Sequence, residues 1–110
     1  FLNFVRDLTG DDTINFNEDV AHSEKITGFK NYAAANLLKS FKNLNNSVDE
    51  VLDFYFHQCS IEMTCSQLTN AFFFLSNKGN CLLNKARLTK TQAKRINAIM
   101  LTCGFYQIIL

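Results

Sequence analysis

At 110 residues, 47% of them hydrophobic and 19% charged, the chain has room for one modest core and the composition of an ordinary globular protein, which excludes intrinsic disorder. No apolar run approaches the roughly 20 residues a bilayer span needs and no signal-peptide pattern opens the chain, so a cytoplasmic protein without a membrane partner is expected. The net charge of +1 conceals a division: residues 1–62 carry five basic and ten acidic groups (net −5), residues 63–110 six basic and no acidic ones (net +6). Six dispersed cations make no dense patch. No nucleic-acid partner is expected, and the polarity reads as two halves that face each other or a missing partner.

The pattern is helical almost throughout, and no proline interrupts it. Phe1, Phe4, Val5 and Leu8 repeat at helical spacing from the first residue, without an initiator Met or a cap. The expectation is a piece of a longer chain. Gly10 suits the residue after the helix end, and a polar connection holding a buried Phe16 follows. Asn17 caps a short helix toward Thr27, with Glu18 and Asp19 suited to its positive end. After Gly28, residues Ala34, Leu37, Leu38 and Phe41 share one helix face, and Asn43 to Asn46 form a loop.

Three later helices open on a hydroxyl residue followed three positions on by Glu or Gln: Ser47/Glu50, Thr64/Gln67 and Thr89/Gln92, the capping-box pattern. Gly79 and Gly104 are the matching stops of the last two. Within "LDFYFHQCSIEMTC", Leu52, Phe56 and Cys59 fall on one helix face and read as core, with the Tyr55 hydroxyl at its rim. Phe72, Phe73 and Phe74 point in three directions around one helix, so at least one of them is expected to meet another domain or subunit. The fold class is all-α, five to six helices in a single helical domain over 1–110.

Cys59, Cys65, Cys81 and Cys103 form no C-x-x-C pair, which points to a reducing compartment rather than a zinc or disulfide framework. His57 and Cys59 lie two apart on a helix and diverge, so no metal and no cofactor are expected. Lys90, Lys94 and Arg95 read as a solvated basic face. From pattern alone, Glu24 is a helix acid, Asn31 a surface or cap residue, Tyr55 a core aromatic and Tyr106 a tail residue.

Three ordered stretches add to this: "SEKITGFKN" from Ser23 to Asn31, "LDFYFHQCSIEMTC" from Leu52 to Cys65, and "CGFY" from Cys103 to Tyr106. Together they resemble the serine-dependent glutaminase family, over about three-quarters of the chain. The resemblance implies the helical part of a fold shared with serine β-lactamases and penicillin-binding proteins, the α/β part being absent. It implies hydrolysis of L-glutamine to L-glutamate and ammonia by a serine in a Ser-x-x-Lys element. Carried over, Glu24 holds the substrate α-ammonium, Asn31 its α-carboxylate, Tyr55 is a further substrate contact, and Tyr106 is a catalytic tyrosine beside the nucleophile.

The chain has no Ser-x-x-Lys, so by itself it is expected to be inactive. The partners implied are L-glutamine, the missing α/β part and, when complete, further copies in a homo-oligomer. The alternative is a catalytically dead helical interaction module derived from a glutaminase.

Overall fold

The computed structural model describes residues 1–103. The described chain runs α1 (Leu2–Thr9), β1 (Asn15–Phe16), α2 (Glu18–Thr27), α3 (Phe29–Ser40), α4 (Val48–Gln58), β2 (Ile61–Glu62), α5 (Cys65–Ser76) and α6 (Lys90–Thr102). Six helices with one two-residue strand pair agree with the all-α reading.

The helix starts follow the capping chemistry. The Asn17 side chain accepts from the Val20 N–H, and the Ser47 hydroxyl accepts from the Glu50 N–H at 3.2 Å. At Thr64 and Thr89 the box closes in both directions, each hydroxyl accepting from the N–H of Gln67 or Gln92 while the glutamine carbonyl accepts the cap N–H at 2.7 and 2.9 Å. Gly10 ends α1 with φ +70° and donates its N–H to Arg6. The α5 stop is a pair rather than one glycine: Lys78 (φ 56°) and Gly79 (φ 97°) are both left-handed, and the Gly79 N–H reaches Phe74 O at 2.8 Å. Gly104 lies outside the described residues.

The chain forms two compact units. The first comprises Phe1–Leu2 and Ile14–Glu62. Here α2 and α3 both pack on α4, and the core is Ala35, Leu52 and Phe56, flanked by Tyr32 and Val48. β1 and β2 pair antiparallel, Asn15 opposite Glu62 and Phe16 opposite Ile61. Beside them the Asn17 N–H donates to Ser60 O at 2.7 Å, and the buried Ser60 hydroxyl donates to Phe56 O.

The second unit comprises Asn3–Thr13 and, among the described residues, 63–103, with α5 packed on α6. Phe4 meets Phe74 edge to face, and Gln67 Nε2 donates to Asp11 Oδ2 at 2.6 Å. The Asn97 amide donates to Leu75 O.

Two burial expectations, Phe16 and Cys59, are corrected, and the shared face of α3 proves to be the exposed one. In the α1–α2 connection Ile14 is fully buried and Phe16 only half-buried, because Phe16 stacks edge-on against the His57 ring. Leu37, Leu38 and Phe41 are exposed, since Ala35 is the α3 residue turned to the core. Cys59 is exposed: it is the C-cap residue of α4, past the turn that carries the core face. Of the phenylalanine run, Phe72 is exposed while Phe73 and Phe74 are half-buried.

Small residues make the helix contacts. In α2, α3, α5 and α6 the buried residue is in each case an alanine: Ala21, Ala35, Ala71 and Ala93.

Candidate functional site

The residues of interest lie in the first unit. Glu24 opens the last turn of α2, and its side chain is exposed. Asn31 sits in the first turn of α3, half-buried. Tyr55 lies near the end of α4, 42% exposed. Tyr106 lies outside the described residues.

Gly28 joins the first two to the third. It ends α2 and opens α3 with φ −75° and ψ 33°, values any residue can adopt. Space, rather than torsion, demands glycine here. A Cβ would stand 2.6 Å from Phe56 Cζ and 2.8 Å from Glu24 O. Phe56 is 1% exposed, so its ring has nowhere to retreat. The glycine of the first motif is therefore shaped by the phenylalanine of the second. That ring also meets Tyr55 at 5.8 Å and Tyr32 at 6.2 Å between centroids. Glu24, Asn31 and Tyr55 thus stand on the three helices whose junction one buried ring fills.

Periodicity orders the side chains around this junction. At about 100° per residue, Asp53 and His57 lie on one flank of the buried Leu52–Phe56 line of α4, and Tyr55 on the other. On α2, Glu18 and Lys25 lie on one flank of buried Ala21, and Glu24 on the other. The first flanks are tied together by charge. Lys25 Nζ donates to Asp53 Oδ1 at 2.8 Å, His57 Nδ1 lies 2.7 Å from Asp53 O, and His57 Nε2 lies 3.2 Å from Glu18 Oε2.

Both ring nitrogens of His57 face acceptors, and only the imidazolium can donate to both. The hydrogen bond to the Asp53 carbonyl, foremost, raises the His57 pKa; desolvation, the next effect in size, opposes it, and the Glu18 carboxylate adds to the rise. Asp53, hydrogen-bonded by Lys25, is held below the usual carboxylate range, and Lys25 is raised in return. The sequence reading weighed His57 only as a metal ligand and passed over Lys25 and Asp53. The signal was there, since opposite charges stand beside Glu24 in one motif and two residues before Tyr55 in the other.

Chemically, this edge offers a carboxylate, a carboxamide and a phenol. It supplies an acceptor for an ammonium, donors for a carboxylate and a hydroxyl on an aromatic platform. It holds no paired nucleophile and base.

Comparison with known proteins identifies the family. A family model described as Glutaminase matches residues 1–108. The glutaminase of Christiangramia forsetii is 51% identical over 106 residues, covering 96% of this chain and 35% of the relative. That of Agrobacterium fabrum is also 51% identical, covering 96% and 34%. Among solved structures, the Bacillus subtilis probable glutaminase superposes with a TM-score of 0.84 at 31% identity, over 96% of this chain and 34% of that one. A structure of a probable glutaminase from Bacillus subtilis complexed with 6-diazo-5-oxo-L-norleucine also matches with a TM-score of 0.84 at 31% identity. The chain spans about a third of the length of the curated relatives it matches, 35% of the first. With a family model matched over nearly its whole length, half its residues shared with curated glutaminases and its fold superposing on that of a Bacillus subtilis one, the chain belongs to the glutaminase family.

Proposed function

We propose that this chain is the helical substrate-binding portion of a glutaminase, an amide hydrolase converting L-glutamine to L-glutamate and ammonia. One observation carries the reading: two separate motifs converge where Gly28 meets Phe56, so that Glu24, Asn31 and Tyr55 border a single junction. In this reading Glu24 accepts the substrate α-ammonium in a charge-assisted hydrogen bond, the Asn31 amide donates to the α-carboxylate, and the Tyr55 hydroxyl contacts the bound amino acid. Tyr106 acts beside the nucleophile, aiding proton transfer to the departing ammonia or stabilising the oxyanion.

The nucleophile is assigned to an α/β part of β-lactamase-like fold, because this sequence contains no Ser-x-x-Lys. There the serine oxygen attacks the side-chain amide carbon, ammonia leaves, and water cleaves the resulting ester. The complete enzyme is read as a cytoplasmic homo-oligomer that uses no metal or cofactor and binds neither nucleic acid nor membrane. The 110-residue chain is expected to bind glutamine without hydrolysing it.

A glutamine titration followed by amide NMR tests this. Saturable shifts at Glu24, Asn31 and Tyr55 without ammonia release support the reading, and a flat response at all three overturns it. A second reading, an interaction module that keeps the scaffold without catalysis, is favoured by the exposure of Phe29 (78%), which opens α3, and Phe41 (68%), its C-cap. Concentration-dependent self-association with no glutamine response would select it.

A further inference from the structure

Glu24 has a neighbour of opposite sign. Lys25 follows it directly, and a free ammonium there would weaken the field that an incoming α-ammonium meets. Lys25 is not free. Its Nζ lies 2.8 Å from Asp53 Oδ1, on the flank of the α2–α4 contact away from Glu24 and Tyr55. The same Asp53 offers its backbone carbonyl to His57 Nδ1, and His57 turns its other nitrogen to Glu18, one more tie between α4 and α2. Lys25 and His57 are the charged groups that face Asp53.

On these contacts we propose that Asp53 is a positioning residue for the α-ammonium subsite. It draws Lys25 to the far flank of α2 and so leaves Glu24 as the uncompensated charge at the site edge. Asp53 does not touch the substrate. Its effect passes through Lys25 to Glu24, and so belongs to recognition of the ammonium alone. The inference rests on the reading of Glu24, Asn31 and Tyr55 as the glutamine site.

The test compares two ligands on the full chain: L-glutamine, and 5-amino-5-oxopentanoate, which keeps the carboxylate and the amide but lacks the α-ammonium. Kd values come from NMR titration of the unmodified chain and of Asp53→Asn. The expected result is an affinity for L-glutamine about threefold to fivefold weaker in Asp53→Asn, the upper part of what an exposed charge pair contributes, with affinity for the analogue unchanged. The reversed pair, Lys25→Asp with Asp53→Lys, restores L-glutamine binding to within about twofold of the unmodified chain. Equal weakening for both ligands, or no weakening, overturns the positioning role while leaving the glutamine site intact. Absence of any glutamine response in the unmodified chain overturns the site itself, and the positioning role with it.

Discussion

Gly28 and Phe56 stand so close that a single methyl on the glycine would enter the phenyl ring, at 2.6 Å from Cζ. The relationship ties the α2–α3 junction to the core of α4 and converts two stretches of sequence, 28 residues apart, into one surface. Because Gly28 has an ordinary negative φ, its requirement can be separated from backbone strain.

Gly28→Ala is therefore expected to destabilise the first unit by about 1–3 kcal/mol, the range for overpacking a well-filled site. Denaturant unfolding measures it. Combining it with Phe56→Leu, which shortens the ring side chain, should cost less than the sum of the two single changes. Additive costs would mean that the two residues do not compete for the same space.

Glycines 10 and 79 separate torsion from space in the second unit. Both have positive φ, but a Cβ on Gly10 would make ordinary van der Waals contact with Leu83, at 3.6 Å from Cδ1. On Gly79 it would collide with the Leu88 carbonyl, whose residue donates its N–H to Gly79 O at 3.1 Å. Gly10→Ala should cost about 1–2 kcal/mol, the penalty of a left-handed L-residue. Gly79→Ala should cost clearly more, since the chain around Leu88 must move as well. Unfolding midpoints of the two variants give the comparison.

His57 supplies a pH dependence with a definite sign. Its pKa is raised in the folded chain, so its contribution is fully present below the unfolded value of about 6.5 and is lost as pH rises through the folded value. The stability advantage of the unmodified chain over His57→Gln should shrink on going from acid to alkaline solution, by up to about 1 kcal/mol. NMR titration of the His57 ring should give a midpoint above about 6.5.

Removing a cap hydroxyl by Thr64→Ala or Thr89→Ala should cost about 1 kcal/mol each, with faster amide exchange confined to the first turn of α5 or α6. Loss of exchange protection along the whole helix would show that the cap controls more than its own end.

Helix starts were legible because their chemistry is local: Asn17, Ser47, Thr64 and Thr89 each satisfy an N–H three residues away, and that spacing is visible in the sequence. Helix faces were harder. The larger residues at the end of α3, Leu37, Leu38 and the C-cap Phe41, suggest one face, whereas packing chose the side of Ala35. The β1–β2 pair is too short to leave a period-two signal, and its partners are 45 and 47 residues apart in chain order. The reading of Glu24, Asn31 and Tyr55 as site residues rests on motif order. Motif order does not give the Lys25–Asp53 and His57–Glu18 contacts, because they join residues 28 and 39 positions apart.

The alanines at the helix contacts invert the usual map of mutational tolerance. Where Ala21, Ala35, Ala71 and Ala93 bring helices close, the methyl gives up no rotamer freedom on folding and leaves no volume for a longer side chain. A saturation scan of this chain would find enlargement of these four positions more harmful than shrinking Phe29, Leu37 or Phe41, which stand in solvent. Sensitivity here tracks how little a side chain occupies, and a hydrophobicity plot would rank these positions in the wrong order.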